Sequence, residues 1–179
     1  MLEDKLLMWK FNRGRREVLD KIYAKYKDDL MTLSTSLLCN KSTAEDVVHD
    51  VFVKFIRSCG NVQVRQSLKG YLVTCIANTA RNTNKAVRRY EKMSLDRAAQ
   101  ITSATNNTDL PVMTNETSQN LANALSKLPY EQKEVLLLHL YSGLKFRVIA
   151  NLQNESISTV QGRYRYGLDK LRSLLNGQV

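Results

Sequence analysis

The chain has 179 residues, 43% of them hydrophobic and 25% charged, with 27 Lys and Arg against 17 Asp and Glu for a net charge of +10. That composition excludes a wholly disordered or collagen-like chain, and seven Gly with two Pro leave few turns for an all-β fold, so helices are favoured. The size suits one ordinary domain or two small ones.

The longest apolar stretch, around Val135 to Leu138, falls far short of the roughly 20 residues of a membrane span. The opening Met1-Leu2-Glu3-Asp4-Lys5 puts acids where a secretory signal carries only basic residues, so a cytoplasmic location is expected. Cys39, Cys59 and Cys75 are odd in number and lack CxxC spacing, so neither a disulfide framework nor a zinc site is indicated. They read as buried small hydrophobes or idle thiols. His49 and His139 read as ordinary helix residues, and no metal or cofactor is expected.

Charge divides the chain in three. Residues 1–93 carry 18 basic and 10 acidic side chains (net +8), 94–120 carry one and three (−2), and 121–179 carry eight and four (+4). The middle stretch is rich in Thr, Asn, Ser and Gln, has no sustained apolar period and contains Pro111, so it reads as a flexible linker. A structured loop of that length is uncommon in a compact domain.

In the first block, Val18, Leu19, Ile22, Tyr23, Tyr26, Leu30, Leu33 and Leu37 recur at helical spacing and predict a core-facing helix. Asn40-Lys41 interrupt it, and Ser42 with Glu45 matches a capping box, predicting a second helix from near Thr43. Its apolar face is Val47, Val48, Val51, Phe52, Phe55 and Ile56. Glu45, Asp46 and Asp50 form an acidic patch on an otherwise basic block. Such a patch repels DNA phosphates. It is either a solvated face with acids near a helix N-terminus or a docking site for a basic protein surface.

A loop from Ser58 to Ser67 precedes a third helix, predicted from Leu68 to about Tyr90, with Leu68, Tyr71, Leu72, Cys75, Ile76 and Thr79 inward. A second stripe on it, Thr74, Asn78, Arg81, Lys85 and Arg88 with Asn82 and Arg89 beside it, has no acid between Lys69 and Glu91. It is either a solvated basic face or a track for phosphates, whose neutralisation releases counterions and binds strongly but without sequence preference. The interleaved Asn and Thr can add hydrogen bonds to base edges.

In the second block, Leu121, Leu125 and Leu128 lead to Pro129, suited to a first helical position with Glu131 at the third. That helix carries Val135, Leu136, Leu138 and Leu140 up to Gly143, a plausible terminator. Phe146 to Ala150 open a short helix, and Ile157 to Val160 open another after a break at Gln153-Asn154-Glu155. Ala150 permits close crossing, Asn154 suits the left-handed turn, and Val160 packs between the helices: helix-turn-helix spacing, against which stands only a helical hairpin with an accidental match. Val160, Tyr164, Leu168, Leu171 and Leu175 form the inward stripe, leaving Ser158, Gln161, Gly162, Arg165 and Tyr166 outward, toward a major groove. There Gln can pair with adenine and Arg with guanine.

Taken together, Ala44-Glu45-Asp46-Val47-Val48-His49-Asp50-Val51-Phe52, Tyr71-Leu72 through Ile76-Ala77-Asn78-Thr79-Ala80-Arg81-Asn82, Leu128-Pro129-Tyr130-Glu131-Gln132 and the helix-turn-helix resemble the extracytoplasmic-function group of bacterial sigma factors. The likeness covers both blocks in order. It implies an all-α fold of two small helical domains, region 2 over 1–93 and region 4 over 121–179, joined by the linker 94–120. It also implies a function: binding core RNA polymerase and directing promoter recognition, DNA melting and transcription initiation, with no enzymatic activity of its own.

By that likeness Glu45, Asp46 and Asp50 dock on polymerase. Asn61, Arg65 and Ser67 lie in or beside a loop that captures unpaired bases of the minus ten element, offsetting the few kcal/mol that extruding a base costs. Asn78, Arg81, Asn82, Lys85 and Arg88 follow along the strand. Arg147, Ser158, Thr159, Gln161, Gly162, Arg163 and Arg165 read the minus thirty-five duplex. The implied partners are core RNA polymerase and promoter DNA, with room for an anti-sigma factor and no membrane. Against the family's usual pattern, Gln161 replaces Lys or Arg, Gly162 replaces Ser, Val148 replaces Glu, and Gln153-Asn154-Glu155 replaces a Leu-Gly-Ile type of turn; these departures bear on the target sequence rather than the fold. A stand-alone helix-turn-helix regulator would explain the second block only.

Overall fold

The computed structural model describes residues 2–15, 17–59, 67–97 and 116–177, and every regular element among them is helical. The first unit comprises α1 (Leu2–Asn12), α2 (Glu17–Leu38), α3 (Lys41–Arg57) and α4 (Leu68–Arg97). The second comprises α5 (Glu116–Ser126), α6 (Tyr130–Leu136) with a π-helical continuation over Leu137–Tyr141, α7 (Phe146–Gln153) and α8 (Ile157–Leu175).

Six of the eight predicted α2 stripe residues, Val18, Ile22, Tyr26, Leu30, Leu33 and Leu37, are buried, whereas Leu19 is half-buried and Tyr23 is 42% exposed. Facing them are Val47, Val48, Val51, Phe52 and Phe55 of α3 and Leu68, Leu72, Val73, Ile76, Ala77 and Ala80 of α4. Helix α1 closes this bundle: the Phe11 ring stacks on Phe55 with centroids 4.4 Å apart. Tyr26 Oη donates to Asp4 at 2.7 Å, and Lys25 pairs with Glu3 and Asp4.

Four boundaries differ from the sequence expectation. Helix α3 starts at Lys41, and its cap is Asn40, whose extended backbone lets the side chain accept from Thr43 N at 2.8 Å; the Ser42–Glu45 box is therefore not used. Cys39, in the left-handed conformation (φ 55°), turns the chain between α2 and α3. Helix α4 continues to Arg97, into the polar stretch, and α5 begins at Glu116, so both ends of the expected linker are helical. Pro129 sits one residue before α6, as its N-cap. Asn61 and Arg65, and 98–115 of the linker, lie outside the described residues.

The helix-turn-helix forms as predicted. Asn154 ends α7 in the left-handed conformation (φ 55°, ψ 46°), and Ser156 caps α8 by accepting from Thr159 N at 3.0 Å. Ala150 and Val160 are fully buried between the helices. Gly143 (φ 70°) ends the preceding helix as expected. His139 stacks on Phe146 at 4.0 Å, with the Tyr164 ring edge-on to both. On α8 the inward stripe is Val160, Gly167 and Leu171; Tyr164 and Leu168 are half-buried, and Leu175 is exposed. Gly167 allows the close approach, since a Cβ there would meet Gln132 Cβ at 3.1 Å and Leu136 Cδ1 at 3.3 Å.

The two units share one core. Val135, Leu137, Leu138, Leu144 and Ile149 belong to the same apolar cluster as Ile22, Leu33 and Leu72, while Leu136, on the other side of α6, packs with Ala124, Leu128 and Leu171. Apolar residues on opposite sides of α6 let it pack from both, and its last four residues, Lys133 to Leu136, are all buried. Each buried apolar side chain contributes about 1.5–3 kcal/mol.

Candidate nucleic-acid interface

Three polar surfaces follow from these helices. On α3 the burial of Val47, Val48 and Val51 forces Glu45, Asp46 and Asp50 outward, and all three are exposed. None of them forms an ion pair among the described residues, although the chain carries ten excess positive charges. On α4 the burial of Leu72, Ile76 and Ala80 turns Asn78, Asn82, Lys85 and Arg88 to solvent. Ser67, at the entry to α4, accepts from Gly70 N at 3.0 Å and so caps the helix. On α7 and α8, Arg147, Ser158, Gln161 and Arg165 are exposed and Thr159 is half-buried. Gly162 lies on the same side, and a Cβ there would touch nothing within 4 Å.

Three of the expected DNA ligands meet acids of the second unit: exposed Arg88 stands 3.9 Å from Glu131, and Arg81 and Arg163 are engaged more closely. Arg81 turns into the junction between the units, where its Nη2 donates to Glu134 Oε1 at 2.7 Å and its Nη1 to the Leu152 carbonyl. The Arg81 side chain is 16% exposed and that of Glu134 1%. Glu134 Oε2 accepts from Gln153 Nε2 at 2.7 Å, and Gln153 Oε1 accepts from Arg163 Nη1 at 2.6 Å. Arg163 Nη2 also pairs with Glu155 at 2.7 Å. A polar chain thus runs from the basic helix α4, through α6 and the turn of the helix-turn-helix, to α8. Tyr130 lines its edge, where burial first, and the Glu134 charge second, push the hydroxyl pKa well above its usual value. Glu134 and Gln153 were not among the expected site residues; the signal for Glu134 was a charge immediately before a four-residue apolar run.

This junction explains the unusual turn. Gln153 and Glu155 are the side chains that fix Arg163 and tie it to Glu134. Arg163 is held by the protein's own groups rather than offered to a base.

The family model for sigma-70 region 2 matches residues 22–92, and that for sigma-70 region 4 matches residues 118–171. The chain belongs to the sigma-70 family. It is 25% identical over 170 residues to RNA polymerase sigma factor CarQ of Myxococcus xanthus, covering 94% of this chain and 95% of that protein. It is 23% identical over 180 residues to the RNA polymerase sigma-H factor of Pseudomonas aeruginosa, covering 94% and 93% respectively. The fold is shared with CnrH, solved in complex with the cytosolic domain of CnrY (TM-score 0.67, 20% identity, 98% of this chain and 99% of that one). It is also shared with the sigma factor RpoE of Bartonella quintana, solved with the anti-sigma factor NepR (TM-score 0.65, 20% identity, 88% and 96%). The region 2 and region 4 matches follow in that order along the chain, as in the extracytoplasmic-function group. Among the described residues no helix is long and apolar enough to cross a membrane.

Proposed function

We propose that this chain is an alternative sigma factor that binds core RNA polymerase and directs it to promoters, melts the DNA there and starts transcription. The observation that carries this reading is an acidic face on α3 with no ion pair among the described residues, set beside exposed basic surfaces on both units, in a chain whose residues 22–92 and 118–171 match regions 2 and 4. A stand-alone helix-turn-helix regulator would use α7 and α8 and leave the α3 acids and the α4 cations without a partner. The role is that of a specificity subunit, with the chemistry supplied by polymerase in the cytoplasm. An anti-sigma factor is a further partner, as RpoE of Bartonella quintana has in NepR.

In this reading Glu45, Asp46 and Asp50 dock on polymerase. Asn61, Arg65 and Ser67 meet the unpaired minus ten bases, with Asn78, Asn82, Lys85 and Arg88 along the strand. Arg147, Ser158, Thr159, Gln161, Gly162 and Arg165 meet the minus thirty-five duplex. Arg81 joins the minus ten contacts only after region 4 leaves region 2, because Glu134 occupies it in the closed form. The closed chain is therefore a resting state, and promoter binding separates the regions.

Two substitutions in the reconstituted holoenzyme test these roles. Arg88→Ala should weaken binding to all promoters alike and lower the slope of log affinity against log salt by about one, since a phosphate contact carries no sequence information. Gln161→Ala should leave that slope unchanged and alter preference at one or two minus thirty-five positions, by about 1–3 kcal/mol if the contact is bidentate. Quantitative binding to a randomised promoter library over a salt series reads both. A salt slope that moves with Gln161 and a base preference that moves with Arg88 would reverse the assignment.

A further inference from the structure

Lys133 is buried, at 5% exposure, on α6. Among the described residues its ammonium has one hydrogen-bond partner, Cys39 Sγ, at 3.1 Å. Burying an ammonium without a carboxylate is costly, so the pairing of this nitrogen with this sulfur is a specific feature of the closed form. The two groups come from opposite units: Cys39 ends α2 in region 2 and Lys133 lies in region 4, 94 residues away in sequence. Cys39 is half-buried, and a cleft of about 260 Å³ lined by Leu38, Asn84, Arg88 and Lys133 brings solvent to the junction.

The other thiols lack this arrangement. Cys59 Sγ donates to the Phe11 carbonyl at 2.8 Å. Cys75 is half-buried, and desolvation pushes its thiol pKa above the usual value. Cys39 Sγ stands 3.9 Å from the Ser36 carbonyl, and among the described residues only at Cys39 does a lysine nitrogen lie within hydrogen-bond distance of a thiol sulfur, which places an amine where it can attack that sulfur once it is oxidised.

We propose that Cys39 and Lys133 form a peroxide-responsive covalent latch that fastens region 4 onto region 2. Cys39 Sγ takes one oxygen from hydrogen peroxide: the S–O bond forms, the O–O bond breaks, and hydroxide leaves to be protonated to water, giving a sulfenic acid. Lys133 Nζ, having given a proton to solvent, then attacks Sγ. The N–S bond forms, the S–O bond breaks, and the hydroxyl leaves as water with a proton from nitrogen. The sulfur has lost two electrons, peroxide has been reduced to water, and the product is a sulfenamide that thiols reduce back to the free pair. In this state Glu134 keeps Arg81, and the α4 cations stay beside region 4. The consequence for transcription rests on the sigma-factor reading, whereas the bond itself does not.

The test is peptide mapping of the full-length chain after hydrogen peroxide. A joined peptide containing Cys39 and Lys133, lighter by two hydrogens than its parts, is expected, absent from Cys39→Ser and Lys133→Arg and lost on treatment with dithiothreitol. Cys39 carried to sulfinic or sulfonic acid beside an unmodified Lys133 would overturn the proposal, as would an equally abundant joined species in Lys133→Arg, which keeps the charge but not the amine. With polymerase added, the oxidised chain should lose transcription and regain it on reduction, while Cys39→Ser keeps it under peroxide. A joined peptide with undiminished transcription would sink the latch. A joined peptide in a chain inactive both before and after oxidation would uphold the bond and count against the sigma-factor reading instead.

Discussion

Replacing Asp46 and Asp50 together by arginine is expected to abolish binding to core RNA polymerase while leaving helical content unchanged. Both carboxylates are exposed on α3, neither is ion-paired among the described residues, and the helix is held from its opposite side by Val47, Val48, Val51, Phe52 and Phe55. The fold therefore does not depend on them. The substitution exchanges one like-charge pair a helical turn apart for another, an interaction of only a few tenths of a kcal/mol in either form. At an interface the sum is different, because juxtaposed like charges cost several kcal/mol each time a basic partner surface meets them. A combined cost of at least about 4 kcal/mol corresponds to about a thousandfold loss of affinity. Titration of labelled chain with core polymerase measures it, and circular dichroism checks the fold. Unchanged affinity would remove the acidic face from the docking surface.

The second large effect is expected at the junction. Glu134→Ala removes the carboxylate that receives Arg81 and Gln153, leaving a guanidinium at the edge of a core with only a carbonyl for company. Breaking a buried pair from one side costs about 3–5 kcal/mol, part of it recovered here because Arg81 can follow solvent as the units part. The expected result is a lower denaturation midpoint together with faster hydrogen exchange at the facing surfaces of α4 and α6. The double variant Glu134→Ala with Arg81→Leu should recover much of the loss, since no unpaired charge then remains. Additive losses in the double variant would show that the two side chains do not act as a pair.

The sequence made the faces of this protein legible far better than their partners. The apolar stripe of α2, the outward acids of α3 and the left-handed Asn154 all follow from local rules: helical periodicity, the burial of one face, and the tolerance of Asn for positive φ. Helix α1 escaped because its inward residues, Leu7, Met8 and Phe11, share a short segment with exposed Leu6 and Trp9, which blurs any stripe. The start of α3 was misplaced because two residues, Asn40 and Ser42, can each cap, and only the extended backbone at Asn40 chooses between them. Arg81 lies on a basic stripe, and Arg163 reads as a DNA ligand only by the family resemblance; Arg81 is turned toward Glu134, which tertiary contact alone brings near, and Arg163 toward Glu155, eight residues before it. The shared core had a trace in the sequence, the run Val135 to Leu138, too apolar for a helix with one wet side.

That the chain confers start-site choice on polymerase is tested most directly by transcription in a purified system. Core polymerase, a pool of genomic fragments and nucleotides are mixed with and without the full-length chain, and the 5′ ends of the transcripts are sequenced. The account predicts initiation at a discrete set of sites that share minus thirty-five and minus ten elements, appears only when the chain is present, and is lost with the Asp46→Arg, Asp50→Arg variant. The same scattered starts with and without the chain would contradict it.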